Sequence, residues 1–147
     1  MDDELKAKAQ RIWEEIFPAG DAEALAEVIA PDSIEHGARP GEPPGLEGAV
    51  RTMHWLGRVF SEQRWEIHQV IGEGETVVVH ATHHARHTGE LMGIPPTGRE
   101  VAYDHVHIVR FRDGKVAEHW GVHDNLTLMR QLGMPPMPAT AGSGGGR

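Results

Sequence analysis

Tyr103, His105, His107 and Asp124 are the side chains whose types and spacing could do chemistry. They lie on two runs separated by Asp113-Gly114, the dipeptide that best tolerates the positive φ angles of a tight hairpin turn. With a two-residue turn, Arg112 pairs with Lys115. Counting back then sets Phe111 opposite Val116, His107 opposite Trp120, His105 opposite Val122 and Tyr103 opposite Asp124. Side chains alternate along a strand, so these eight share one face. That face is apolar near the turn and titratable away from it, which reads as a pocket with a carboxylate at its end. A bulge at Gly114 would slide the pairing by one and give Asp124 the company of Asp104 and Val106 instead.

A partly buried carboxylate can exchange a proton near neutral pH, while His107 or Tyr103 donates to a developing oxyanion. Asp124 also stands where an N-cap would, just before a short helical pattern beginning at Asn125, and both readings remain open. The His105-x-His107 pair suits metal chelation, with Asp124 or Glu118 as a carboxylate ligand. No recognised third-ligand spacing accompanies it, so no metal or cofactor is expected. His83 and His87 are candidates to line the pocket, and His84 to face solvent. Trp65 reads as core and Trp120 as a cavity wall, while His119 and His123 fall on the opposite face, toward solvent or a subunit partner.

Composition narrows the functional classes. The chain has 147 residues, the size of a single domain, and a net charge of −8 from 22 acidic against 14 basic residues. Nucleic acid and anionic membranes are thus excluded as expected partners, because they bind through clustered cations. There are no cysteines, so disulfides, thiolate metal sites and thiol nucleophiles are ruled out, and a reducing cytoplasm fits. The acidic start, Met1-Asp2-Asp3-Glu4, is not a secretory signal, and no apolar run is long enough for a membrane span.

The elements that must position these residues follow from periodicity. A first amphipathic helix is predicted over 3–17, stopped by Pro18-Ala19-Gly20. A second begins behind an Asp21 cap and ends before Pro31. A short extended or irregular segment carrying His36 and a Pro/Gly-rich loop lead to a third helix, which bears Leu46, Val50, Met53 and Phe60 on one stripe. Gly48 and Gly57 weaken that helix, so it should depend on close packing. Strands are predicted over 64–71 and 76–87, then in the hairpin. The expected architecture is α+β: three helices on one face of a four-stranded antiparallel meander spanning 1–133, with a disordered Pro/Gly-rich tail over 134–147.

Together, His87-Thr88-Gly89-Glu90, Gly93-Ile94-Pro95-Pro96-Thr97-Gly98-Arg99, the Arg110–Lys115 turn and Glu118-His119-Trp120 with Asp124 resemble the SnoaL-like polyketide cyclase family, also called ester cyclases, of the nuclear-transport-factor-like superfamily. The resemblance covers roughly residues 5–133 and implies a cone-shaped curved sheet with a deep cavity. It implies an intramolecular aldol closure without metal or organic cofactor, with Asp124 as general acid/base and His107 beside it. His36 would be a polar cavity residue. Tyr103, His105, Trp120 and His83 complete the expected substrate site, although His83, His84 and His105 depart from the family pattern.

The expected function is a small enzyme acting on a hydrophobic carbonyl compound, an aldol-type cyclase or related isomerase. The alternatives are a binding module of the same fold and, third, a His-ligated metal enzyme. Apolar residues on the outward sheet face (Val78, Val106, Ile108) lead to the expectation of a homodimer or larger oligomer.

Overall fold

The computed structural model describes residues 2–134. Helix α1 (Asp2–Arg11) passes through a π-helical turn at Ile12–Ile16 into a last helical turn, α2 (Phe17–Ala19). Pro18 lies just past the π-helical turn, and Gly20 ends the run in a left-handed conformation. Helix α3 (Ala22–Val28) starts behind Asp21, whose carboxylate accepts from the Ala24 N–H at 3.1 Å. After strand β1 (Ile29–Glu35) comes helix α4 (Gly45–Val59). The meander β2 (Phe60–Glu73), β3 (Thr76–His87), β4 (Glu100–Arg112) and β5 (Lys115–His123) follows, and helix α5 (Asn125–Gln131) closes the described chain.

The sheet has five strands, not four, in the order β1-β5-β4-β3-β2, and it is curved and unclosed. The extra strand takes up most of the segment expected to be extended or irregular, and starts earlier, at Ile29. Ile29–Glu35 runs parallel to β5, with Ile34 opposite Glu118 and Glu35 opposite His119. Pro31 is tolerated there because β1 is an edge strand. Phe60, expected on the third helix, begins β2 instead.

Burial along β3 and β4 alternates residue by residue, which settles the face that periodicity left open. Val77, Val79, Ala81, His83, Ala85 and His87 point inward from β3, as do Tyr103, His105, His107, Val109 and Phe111 from β4. The helices cover this inner face, and Ile12, Trp13, Ile16, Leu25 and Met53 fill the space against Val77, Val79, Val109 and Phe111. In α4, a methyl at Gly48 would collide with the Pro43 carbonyl, so that glycine serves the close packing foreseen for the helix. Gly57, by contrast, faces open space.

The loop between β3 and β4 is fastened at its root. The Thr88 and Gly89 N–H groups both donate to the Val59 carbonyl, at 3.0 and 2.9 Å, and the Gly98 N–H donates to the His87 carbonyl at 2.8 Å. His87 Nδ1 accepts from the Thr97 N–H at 3.2 Å. No helix among the described residues is long and apolar enough to cross a membrane. The tail expected to be disordered lies, beyond Met134, outside the described residues.

Candidate active site

The β4–β5 hairpin turns as expected and then slips by one residue. Asp113 and Gly114 take φ values of 53° and 78°, Arg112 pairs with Lys115, and Phe111 pairs with Val116. The next partner of Arg110, however, is Glu118, so Ala117 is an extra residue, a β-bulge. Val116 and Ala117 are both buried, each 2% exposed, where a regular strand would alternate. From the bulge onward the faces are exchanged: Val109 meets His119, Ile108 meets Trp120, His107 meets Gly121 and His105 meets His123.

This corrects the expected inward face. His119 and His123 belong to it, and Trp120 does not. Trp120 lies on the outer face, stacked on His36 with ring centroids 4.5 Å apart and planes 4° apart. His36 meets Glu118 Oε2 at 2.7 Å, and the other oxygen of Glu118 accepts from Arg110 Nε at 2.8 Å. His36 and Trp120, two of the expected substrate contacts, are therefore brought together, but on the opposite side of the sheet from His107. The Asp124 N–H donates to the Asp104 carbonyl at 2.9 Å, and the exposed Asp124 carboxylate caps α5. It accepts from the Thr127 N–H at 3.1 Å and the Thr127 hydroxyl at 2.6 Å. These two bonds hold its pKa below the usual carboxylate value.

The inner face carries a continuous row of imidazoles. His83 Nδ1 meets the Tyr103 hydroxyl at 3.0 Å, and His83 Nε2 meets Gln63 Oε1 at 3.0 Å. His105 Nδ1 accepts from the Trp65 indole at 3.2 Å and also lies 3.2 Å from His107 Nε2. His107 Nδ1 lies 3.0 Å from His119 Nε2, and His119 Nδ1 lies 2.6 Å from Glu35 Oε1. Two tryptophans pack against the row, Trp13 from the helical layer and Trp65 from the neighbouring strand β2. Trp13 stacks on His107 and Trp65 on His83, each with centroids 3.9 Å apart. The π-helical turn carries Trp13, and such turns cluster at functional sites.

Burial governs the charge of this row. It depresses His83 to about 3 and His105 to about 2, with neighbouring imidazoles adding to the effect, and it holds His107 well below the ordinary value. His123, at the open end, is lowered by the same causes. Burial alone would raise Glu35, but the hydrogen bond and charge of His119, with the Gly37 N–H, outweigh it and keep Glu35 lowered. Burial pushes the Tyr103 phenol up. Burial thus favours the neutral form of His83, His105 and His107, and the row ends on the Glu35 carboxylate.

His105, His107 and His123 each offer a nitrogen within 4.8 Å of the other two, supplying the third ligand that strand spacing had not revealed. Two cavities lie elsewhere. One of about 550 Å³ is lined by Arg39, Pro43, Arg51, His54 and Arg58, and one of about 530 Å³ by Glu62, Arg64, His84, Arg86 and Gln131. The residues that sequence reasoning missed are Trp13, Glu35, His119 and His123. The one signal for the last two was the adjacent apolar pair Val116-Ala117, which no alternating strand can bury on one face.

Comparison with known proteins agrees with this architecture. Residues 7–132 match the family model for SnoaL-like polyketide cyclases. The chain is 34% identical over 131 residues to the aklanonic acid methyl ester cyclase DauD of Streptomyces sp. (strain C5), covering 84% of this chain and 80% of DauD. It is 32% identical over 125 residues to the nogalonic acid methyl ester cyclase of Streptomyces nogalater, covering 81% and 90% respectively. The crystal structure of IdmH from Streptomyces antibioticus superposes with a TM-score of 0.77 at 32% identity, covering 88% of this chain and 99% of IdmH. The chain belongs to the SnoaL-like polyketide cyclase family and is a SnoaL-like cyclase enzyme.

Proposed function

We propose that the protein closes a ring in a polyketide ester by an intramolecular aldol reaction, with Asp124 as the general base. The observation that carries this reading is the place of Asp124, an exposed, hydrogen-bonded carboxylate directly after His123 at the open end of the imidazole row. A bulky substrate could reach it without entering the packed interior.

A methylene flanked by two carbonyls is acidic for a carbon acid. Asp124 takes one of its protons, the enolate carbon forms a bond to a ketone carbon of the same molecule, and the resulting alkoxide takes a proton back. His123, exposed beside Asp124, supplies an imidazole N–H for the developing oxyanion. The substrate class follows the relatives: a methyl ester of the aklanonic or nogalonic acid type. We further propose that the outer sheet face, where Val122 is 63% exposed, joins two or more copies.

Asp124→Asn separates catalysis from capping, because asparagine caps a helix as well as aspartate does. Turnover of such a methyl ester is expected to fall roughly 10²- to 10⁴-fold with an unchanged melting temperature. Undiminished turnover in Asp124→Asn would sink the reading.

A further inference from the structure

The hydrogen-bond chain on the inner face does not close with neutral imidazoles. At one end, the Trp65 indole can only donate, so His105 Nδ1 must be an acceptor. At the other, the ionised Glu35 can only accept, so His119 Nδ1 carries a proton. A neutral His119 then accepts at Nε2, which makes His107 the donor at Nδ1 and leaves His107 Nε2 as a bare lone pair. The two polarities converge at the His105 Nδ1 to His107 Nε2 contact, where two lone pairs face each other across 3.2 Å. The remaining nitrogen of His105, Nε2, is buried with no hydrogen-bond partner among the described residues.

We propose that this gap is a site for one divalent transition-metal ion of borderline softness, such as zinc or cobalt, held by His105, His107 and His123. Three features support it besides the opposed lone pairs. Two nitrogens 3.2 Å apart span one edge of a coordination tetrahedron, which is about 3.3 Å at ordinary zinc–nitrogen distances. His123 brings a nitrogen within 4.8 Å of a nitrogen on each of His105 and His107 and, being exposed, has room to close the remainder. Glu35 acts through His119 to orient His107, a carboxylate–imidazole relay of the kind that stands behind metal-binding histidines.

Neutral imidazole is the form that ligates, so metal binding here is expected to strengthen as pH rises. The Trp65 N–H competes for His105 Nδ1, so metal entry requires the indole bond to lengthen or the His105 ring to turn its unpartnered Nε2 inward. With three protein nitrogens the fourth position remains for water or a substrate oxygen. The site does not depend on Asp124 being the base.

A single extra proton is the competing occupant: a second proton on His119 against Glu35 would also reverse the chain and close it. The deciding experiment uses the full chain without an affinity tag, stripped with chelator and titrated with Co²⁺. One equivalent is expected to bind, with the visible absorption of tetrahedral nitrogen coordination. His123→Ala, which removes an exposed ring and spares the core, should weaken binding at least tenfold. His80→Gln, which breaks the outer His68/His80 pair with centroids 5.0 Å apart, should leave it unchanged. Absence of stoichiometric binding, or undiminished binding in His123→Ala, overturns the proposal. Nitrogen-15 spectra of the imidazoles showing the His105–His107 contact bridged by a proton in protein exposed to excess Co²⁺ would overturn it equally.

Discussion

The two faces of one sheet use the same residue type in opposite ways. On the outer face each histidine meets oxygen: His36 with Glu118, His80 with Asp104, His84 with Glu66 and His68 with Thr82, at 2.7 to 3.1 Å. There the imidazoles lower the pKa values of Glu118, Asp104 and Glu66. On the inner face His105, His107 and His119 meet one another, Trp13 lies on His107, and burial strips His105 and His107 of charge. Local sequence is no guide to which is which, since His83 and His84 are neighbours and lie on opposite faces. The difference teaches that an imidazole's chemistry is set by strand parity, and parity on β5 is set by one inserted residue.

The contrast between the faces can be broken most forcefully at Trp13. Trp13→Ala removes a buried ring stacked on His107, and such truncations cost about 3–5 kcal/mol. Urea unfolding should show that loss, and a variant as stable as the parent would mean that the Trp13 ring does not hold the row.

A second test is acid titration. His83 and His105 have folded-state values near 3 and 2, against 6.5 for the free side chain. As pH falls below about 6.5 the unfolded chain therefore takes up protons that the folded chain refuses. The stability contributed by neutral burial is complete above that pH and is lost toward pH 3. Each imidazole accounts for about 1.4 kcal/mol per pH unit. A melting temperature flat from pH 7 to 4.5 would contradict the neutral inner row. The paired carboxylates outside give up their contribution only at lower pH, and being exposed they change stability little.

The smallest expected effect belongs to the outer surface. Val122→Glu should leave unfolding within about 0.5 kcal/mol of the parent. It should reduce the mass seen by light scattering if that face joins copies. A parent chain that is already a monomer would remove the interface reading.

Much of the fold is legible in the amino-acid sequence. Asp21 and the Asp113-Gly114 turn declare themselves because capping and positive φ demand particular residues locally. The span Thr76–His87 is plain because β-branched residues and flanking glycines frame it. What stays hidden is non-local. Pro31 argues against a strand, and only its place on an edge, against β5, makes Ile29–Glu35 one. The bulge at Ala117 is fixed by how Val116 and Ala117 pack together in the core, which pairwise counting from the turn cannot register. That single residue sends Trp120 outward, brings His119 and His123 inward, and sets Asp124 beside Asp104. The helix cap at Asp124 is readable; the reach of its carboxylate to a substrate is not, because it depends on that same slip.

The β3–β4 loop has a consequence of another kind. A side chain at Gly89 would run into the Arg58 carbonyl, and both ends of the loop are tied back to the body. Its tip is free, with Met92 77% exposed and nothing near Gly93. Residues added at the tip would meet no packed neighbour and would cost only a little closure entropy, whereas one added at the root would tear the clasp. The molecule thus divides into a frame that resists editing and a short stretch open to it, so chains sharing this frame can lengthen or trade that stretch without relearning how to fold.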